Sequence, residues 1–103
     1  MNEVRSQFEG DCLKVLDRYF ADHPDAGMQK RAHHALRLLR GSEKPLKGKA
    51  DGWAAGVLYA VATDGRLRTG VPGVLNAEFE KLSGVPMATA RHRAAKVIEL
   101  ASL

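Results

Sequence analysis

Residues 75–100 read LNAEFEKLSGVPMATARHRAAKVIEL, and this stretch decides the fold. A helix signal runs from Asn76 to Leu82, Ser83-Gly84-Val85 turns, and Pro86 opens a longer helix to the C-terminus. Asn76 is expected to be the N-cap, because its side-chain carbonyl can accept from an orphan N–H of the first turn. Gly84 supplies positive φ in the short turn, and Pro86 suits the start of the next helix. Two helices joined this closely meet at a steep angle, the geometry of a helix-turn-helix. In the second helix Val85, Ala90, Ala94, Val97 and Ala101 form the inward stripe, which leaves Met87, Ala88, Arg91, His92 and Arg93 expected outward. A basic helix presented this way suits a DNA major groove.

Upstream, GRLRTGVPGV (residues 65–74) is a turn-rich connection whose glycines follow no predicted strand, so it lacks the context of a nucleotide-binding loop. Before it, the run from Ala50 to Thr63 has almost no polar face. Fourteen residues are too few to span a bilayer, and alanine at this density disfavours a strand. The expectation is a helix buried on most sides, with Ala54, Ala55 and Gly56 allowing close approach and Trp53 and Tyr59 filling volume. GSEKPLKGK (residues 41–49) is a loop carrying Lys44, Lys47 and Lys49.

Two amphipathic helices are predicted at the start. The first, from about Glu3 to Ala21, places Val4, Phe8, Cys12, Val15, Leu16 and Tyr19 on one face, broadened by Leu13 and Phe20. Pro24 breaks it, and Asp25 caps the second. That helix carries Met28, Ala32, Ala35, Leu36 and Leu39 inward up to Arg40, with Lys30, Arg31, His33, His34 and Arg37 on its polar side. Five helices and no strand give an all-α fold in a single domain over residues 1–103.

Composition narrows the chemistry. Apolar residues make up 45%, but aromatic ones only 6%, so the core must be built from Leu, Val and Ala on closely packed elements. No apolar run is long enough for a membrane span and the N-terminus has no signal-peptide pattern, so a cytoplasmic location is expected. Cys12 stands alone, which leaves no internal disulfide and no Cys-rich zinc site. Residues 28–50 hold seven basic groups against one acidic, whereas residues 1–27 hold three against six. Such asymmetry favours an anionic partner.

Catalysis and metal binding find little support in the pattern. His33 and His34 are adjacent and diverge by about 100° on a helix, and no other pair completes a ligand set at a recognisable spacing. No nucleophile or base has an evident orienting partner, so the chain is expected to be neither an enzyme nor a cofactor carrier. The candidates are instead Met87, Ala88, Arg91 and His92 for the groove, with Thr89, Arg93, Lys96 and the loop residues Lys44, Lys47 and Lys49 on the phosphate backbone. The competing reading is a solvated helix whose cations complement the helix dipole, with Arg93 paired internally to a carboxylate such as Glu80.

Two segments resemble a known family. GKADGWAAGVLYAVA (residues 48–62) and LSGVPMATARHRAAKVIEL (residues 82–100) are similar to the cyclin-like repeat of archaeal and eukaryotic transcription factor B. There a helix of the type G-x-A-A-A-x-L-Y precedes a helix-turn-helix of the type G-V-x-x-x-T-x-R-x-R. The matching residues are Ala54, Ala55, Leu58 and Tyr59, then Gly84, Val85, Thr89, Arg91 and Arg93. The whole layout also resembles a small bacterial domain family of unknown function, through Gly48, Lys49, Trp53, Ala54, Ala55, Tyr59 and Ala60. Glu80 stands where that type of motif usually has a small residue, and Pro86 where it has a capping Ser or Thr. The resemblance implies a cyclin-like bundle and a small DNA-binding or transcription-associated protein with double-stranded DNA as partner. Cyclin-like repeats also include protein-binding modules, so an interaction adaptor without nucleic acid is the alternative, and a homodimer stays open for either.

Overall fold

The computed structural model describes residues 3–40, 49–65 and 70–101, without the side chains of residues 3–6 and Arg40. Five helices follow in order: α1 (Glu3–Asp22), α2 (Ala26–Arg40), α3 (Ala50–Ala62), α4 (Asn76–Ser83) and α5 (Met87–Ala101). No strand occurs among the described residues, so the protein is all-α.

The faces read from periodicity are the ones that pack. Cys12, Val15, Leu16, Tyr19 and Phe20 of α1 are buried, as are Met28, Ala32, Ala35, Leu36 and Leu39 of α2. Asp25 caps α2 as expected, its Oδ1 accepting the Met28 N–H at 3.0 Å. In α3 all ten residues from Gly52 to Val61 are buried, and the helix touches each of the other four. It ends in a Schellman motif. Asp64 takes φ 53° and Gly65 φ 84°, with Gly65 N–H bonded to the Ala60 carbonyl at 3.0 Å and Asp64 N–H to Val61 at 3.3 Å. Asp tolerates the left-handed region better than most side chains, so the stop signal needs only one glycine.

The closest packing is between α3 and α5. A Cβ built on Gly56 would lie 2.7 Å from Arg93 Cβ, 2.8 Å from the Arg93 carbonyl carbon and 3.0 Å from Ala94 N. Gly52 faces Thr89 and Arg93 less tightly, at 3.6 Å. Residue 52 therefore meets 89 and residue 56 meets 93–94, so the two helices run in the same direction with backbones nearly touching. Gly52 and Gly56 sit four apart on one face of α3, and α5 answers with Ala90 and Ala94. Small residues at the contact let many main-chain atoms come within dispersion range, which suits a core with few aromatics.

What aromatic mass exists is concentrated where α4 joins the bundle. Phe79 is buried between Tyr19 and Tyr59, edge-on to both at 6.0 Å. Burying such a ring contributes about 2–3 kcal/mol, enough to hold an eight-residue helix that has little stability alone.

Cys12 is fully buried with its Sγ 3.5 Å from the Ala50 carbonyl, to which it donates. Burial pushes its thiol up to about 12, with nearby Asp11, Asp51 and Glu9 adding to the effect. The raised pKa keeps the folded protein's thiol protonated at neutral and mildly basic pH. Native protein is expected to be unreactive toward a disulfide reagent at pH ~8, where a free thiolate would react readily. Labelling should then proceed at the rate of opening and become immediate in denaturant. Prompt labelling of native protein would contradict this burial.

Candidate nucleic-acid interface

Four hydrogen bonds hold the α4–α5 corner. Gly84 takes φ 82° and its N–H bonds back to the Glu80 carbonyl at 2.8 Å, ending α4. Arg18, from α1, donates its Nε–H to the Leu82 carbonyl at 2.7 Å, filling an acceptor that the helix end leaves open. Glu80 Oε2 accepts the Met87 N–H at 2.7 Å, and the Pro86 carbonyl accepts from Ala90 at 3.0 Å. A carboxylate from α4 thus caps α5. This explains why Pro86 can replace a capping Ser or Thr, and why Glu80 stands where a small residue is usual. The suggested Glu80–Arg93 pair is not formed, since the Glu80 carboxylate is turned to the start of α5.

Glu80→Ala is expected to lower stability by about 1 kcal/mol, in the range of lost helix caps. Glu80→Gln, which keeps an acceptor oxygen, should lose less. Denaturant midpoints of the two variants would check the order.

Asn76 does not cap α4. It is the first helical residue, while Leu75 occupies the cap position without a side-chain bond and its carbonyl accepts from Phe79 at 2.9 Å. The reason is tertiary: Phe79 must enter the Tyr19–Tyr59 gap, and that fixes the start of the helix.

The candidate residues separate into three groups. Ala88, Arg91, His92, Lys96 and Lys49 are exposed. Met87, expected outward, is instead buried, because the turn directs the first residue of α5 toward the core. Thr89 and Arg93 are half-buried and belong to the α3 contact. The Arg93 guanidinium lies 4.7 Å from the Trp53 ring centroid, a cation–π contact. Lys44 and Lys47 lie outside the described residues.

The remaining surface of α5 is a coherent face. At 100° per residue, Ala88, His92, Ala95 and Glu99 line its centre, with Arg91 on one flank and Lys96 on the other. Two alanines keep the middle low, so a ligand could approach the helix axis between the cations. Arg91 is oriented by the core: its Nε–H donates to the Tyr59 hydroxyl at 3.2 Å, and the same hydroxyl accepts the Gly70 N–H at 3.2 Å. A guanidinium has five N–H donors, so four remain for a ligand. Lys49 stands at the start of α3, and because Gly52 faces Thr89, that end lies beside the first turn of α5.

One cluster was not legible in the sequence. Asp22, His23 and Glu78 bring their ligand atoms within 4.8 Å of one another, with His23 Nε2 3.3 Å from Glu78 Oε2. The separation is that of an ion pair once His23 is protonated, but the alignment is not that of a hydrogen bond. The His23 ring rests 5.2 Å from that of Tyr19, so the pair links the end of α1 to α4. Adjacent residues of one helix end and a third 55 positions away show no spacing motif.

Compared with known proteins, the chain matches no family model, no curated protein and no solved structure. No helix among the described residues is long and apolar enough to cross a membrane.

Proposed function

We propose that this is a small DNA-binding protein, of the transcription-associated kind that its resemblance to cyclin-like repeats implies, in which α4 and α5 act as a helix-turn-helix. The observation that carries the reading is the exposed face of α5, where Arg91, His92 and Lys96 surround Ala88 and Ala95. Arg91 enters the groove already oriented by Tyr59, so less side-chain freedom is lost on binding. Ala88 and His92 approach base edges, and Lys96 and Lys49 contact phosphates. Met87, Thr89 and Arg93 serve α5 from within, by fixing its roll on α3.

The test is a titration into fluorescent random-sequence duplex DNA at ~50 and ~200 mM salt. Two phosphate contacts predict a log–log slope near −1.8, roughly a 12-fold weakening across that range. Absence of binding at the lower salt by folded protein would refute the proposal and point to a protein partner instead. Binding indifferent to salt would refute the phosphate contacts.

A further inference from the structure

We propose that the groove formed by α2, the C-terminal half of α3 and α5, which neither Arg91 nor His92 lines, binds a small organic anion with an apolar body. The groove encloses about 500 Å³. Its apolar surface comes from Ala60 and Val61 of α3 and Ile98 of α5, and one wall carries Lys30, Arg31, His34 and Arg37 of α2. Asp64 contributes a single carboxylate near the end of α3.

Charge argues for an anion. The sequence of α2 contains no Asp or Glu, and Lys30, His34 and Arg37 recur at i, i+4 and i+7 on one face. All four α2 residues of the wall are exposed. None has an acidic partner at ion-pair distance among the described residues. Lys30, Arg31 and Arg37 place three formal positive charges along one wall, and α2 itself supplies no carboxylate to offset them. Nothing in the packing of α2 requires this arrangement, since its inward stripe is entirely apolar. An anion seated across these groups would balance their charge.

Size argues for a small molecule over a peptide. Ligand pockets commonly span about 300–1,000 Å³ with an apolar lining and few polar groups. From Lys30 to Arg37 the wall rises only about 10 Å. That is too short for a protein interface, which needs roughly 800 Å² from each partner. An aliphatic or aromatic body would lie on Ala60, Val61 and Ile98, with a carboxylate or phosphate directed to the α2 cations.

The probe is 1-anilinonaphthalene-8-sulfonate, an aromatic body bearing one anionic group, followed by its fluorescence on the full chain. One molecule is expected to bind per chain and to be displaced by decanoate, decyl phosphate or both, but not by decyltrimethylammonium. Stronger displacement by one of the two anions would tell a carboxylate from a phosphate ligand. Arg31→Glu with Arg37→Glu alters only exposed positions, and should weaken the probe at least ~10-fold while the helical circular dichroism is unchanged. If that variant unfolds, Arg37→Ala alone supplies the comparison, with a smaller loss expected. Arg91→Ala with His92→Ala should bind the probe normally, since neither residue lines the groove. The proposal is overturned if no probe binds, if the cationic amphiphile displaces it equally, or if the charge variants of α2 bind it as the natural sequence does.

Discussion

Gly56→Ala is expected to destabilise the protein by about 2 kcal/mol or more, against the ordinary helix preference for alanine. The added methyl would lie within 3.0 Å of three atoms of α5, two of them main-chain atoms. Backbone cannot rotate away as a side chain can, so α5 must shift off α3 along its length. Ala90 and Ala94 would then lose contacts that their small size made possible. For a domain of this size the thermal midpoint should fall by roughly 10 °C. Gly52→Ala is the control. Its nearest neighbours would lie at 3.6 Å, an ordinary contact, so the gain in helix propensity of up to about 1 kcal/mol should prevail. Opposite signs for two identical substitutions, four residues apart on one helix, would identify the α3–α5 crossing as the tightest point of the fold. Equal shifts would show that this crossing is not backbone-limited. The same variant bears on function, because the roll of α5 on α3 sets the direction in which Arg91 and His92 face.

Arg91→Ala with His92→Ala is expected to weaken DNA binding at ~50 mM salt at least ~10-fold, since charge-assisted contacts contribute about 1.5–3 kcal/mol each. The fold should survive. Both residues are exposed, and such substitutions usually change stability by less than about 0.5 kcal/mol. The loss of the Tyr59 contact adds a second small effect, but the Tyr59 hydroxyl keeps its bond to the Gly70 N–H. Arg91→Lys separates charge from geometry. It keeps the cation but loses the planar donor that Tyr59 orients, so phosphate binding should be partly retained and any preference among DNA sequences reduced. An unchanged DNA affinity in the double variant would remove the α5 face as the reader. Unfolding of the double variant would assign both residues to the structure.

The sequence by itself determined the five helices, because a helix is a local object. Spacing of three and four residues marked the buried faces of α1 and α2, Asp25 reached its own first turn, and Gly84 provided the left-handed angle the corner needs. The long apolar run of α3 was equally legible, since ten successive buried residues leave no polar face to misread. Exposure of Ala88, Arg91, His92 and Lys96 followed from the same periodicity.

Only the tertiary structure decided how those helices use their ends and edges. Met87 turned inward and Asn76 gave up the cap because the turn and the Phe79 pocket fix where α5 and α4 begin. Glu80 became the cap of another helix, Arg93 settled over Trp53, and His23 met Glu78, each through a partner that no local spacing specifies. Gly52 and Gly56 look alike in sequence, and only the position of α5 distinguishes an ordinary contact from one that excludes a methyl group. The cationic groove arose in the same way: α2 supplied the charges, but its floor required α3 and α5 to lie beside it. Periodicity records which face of a helix is buried, while the identity of what lies against that face is a property of the packed chain.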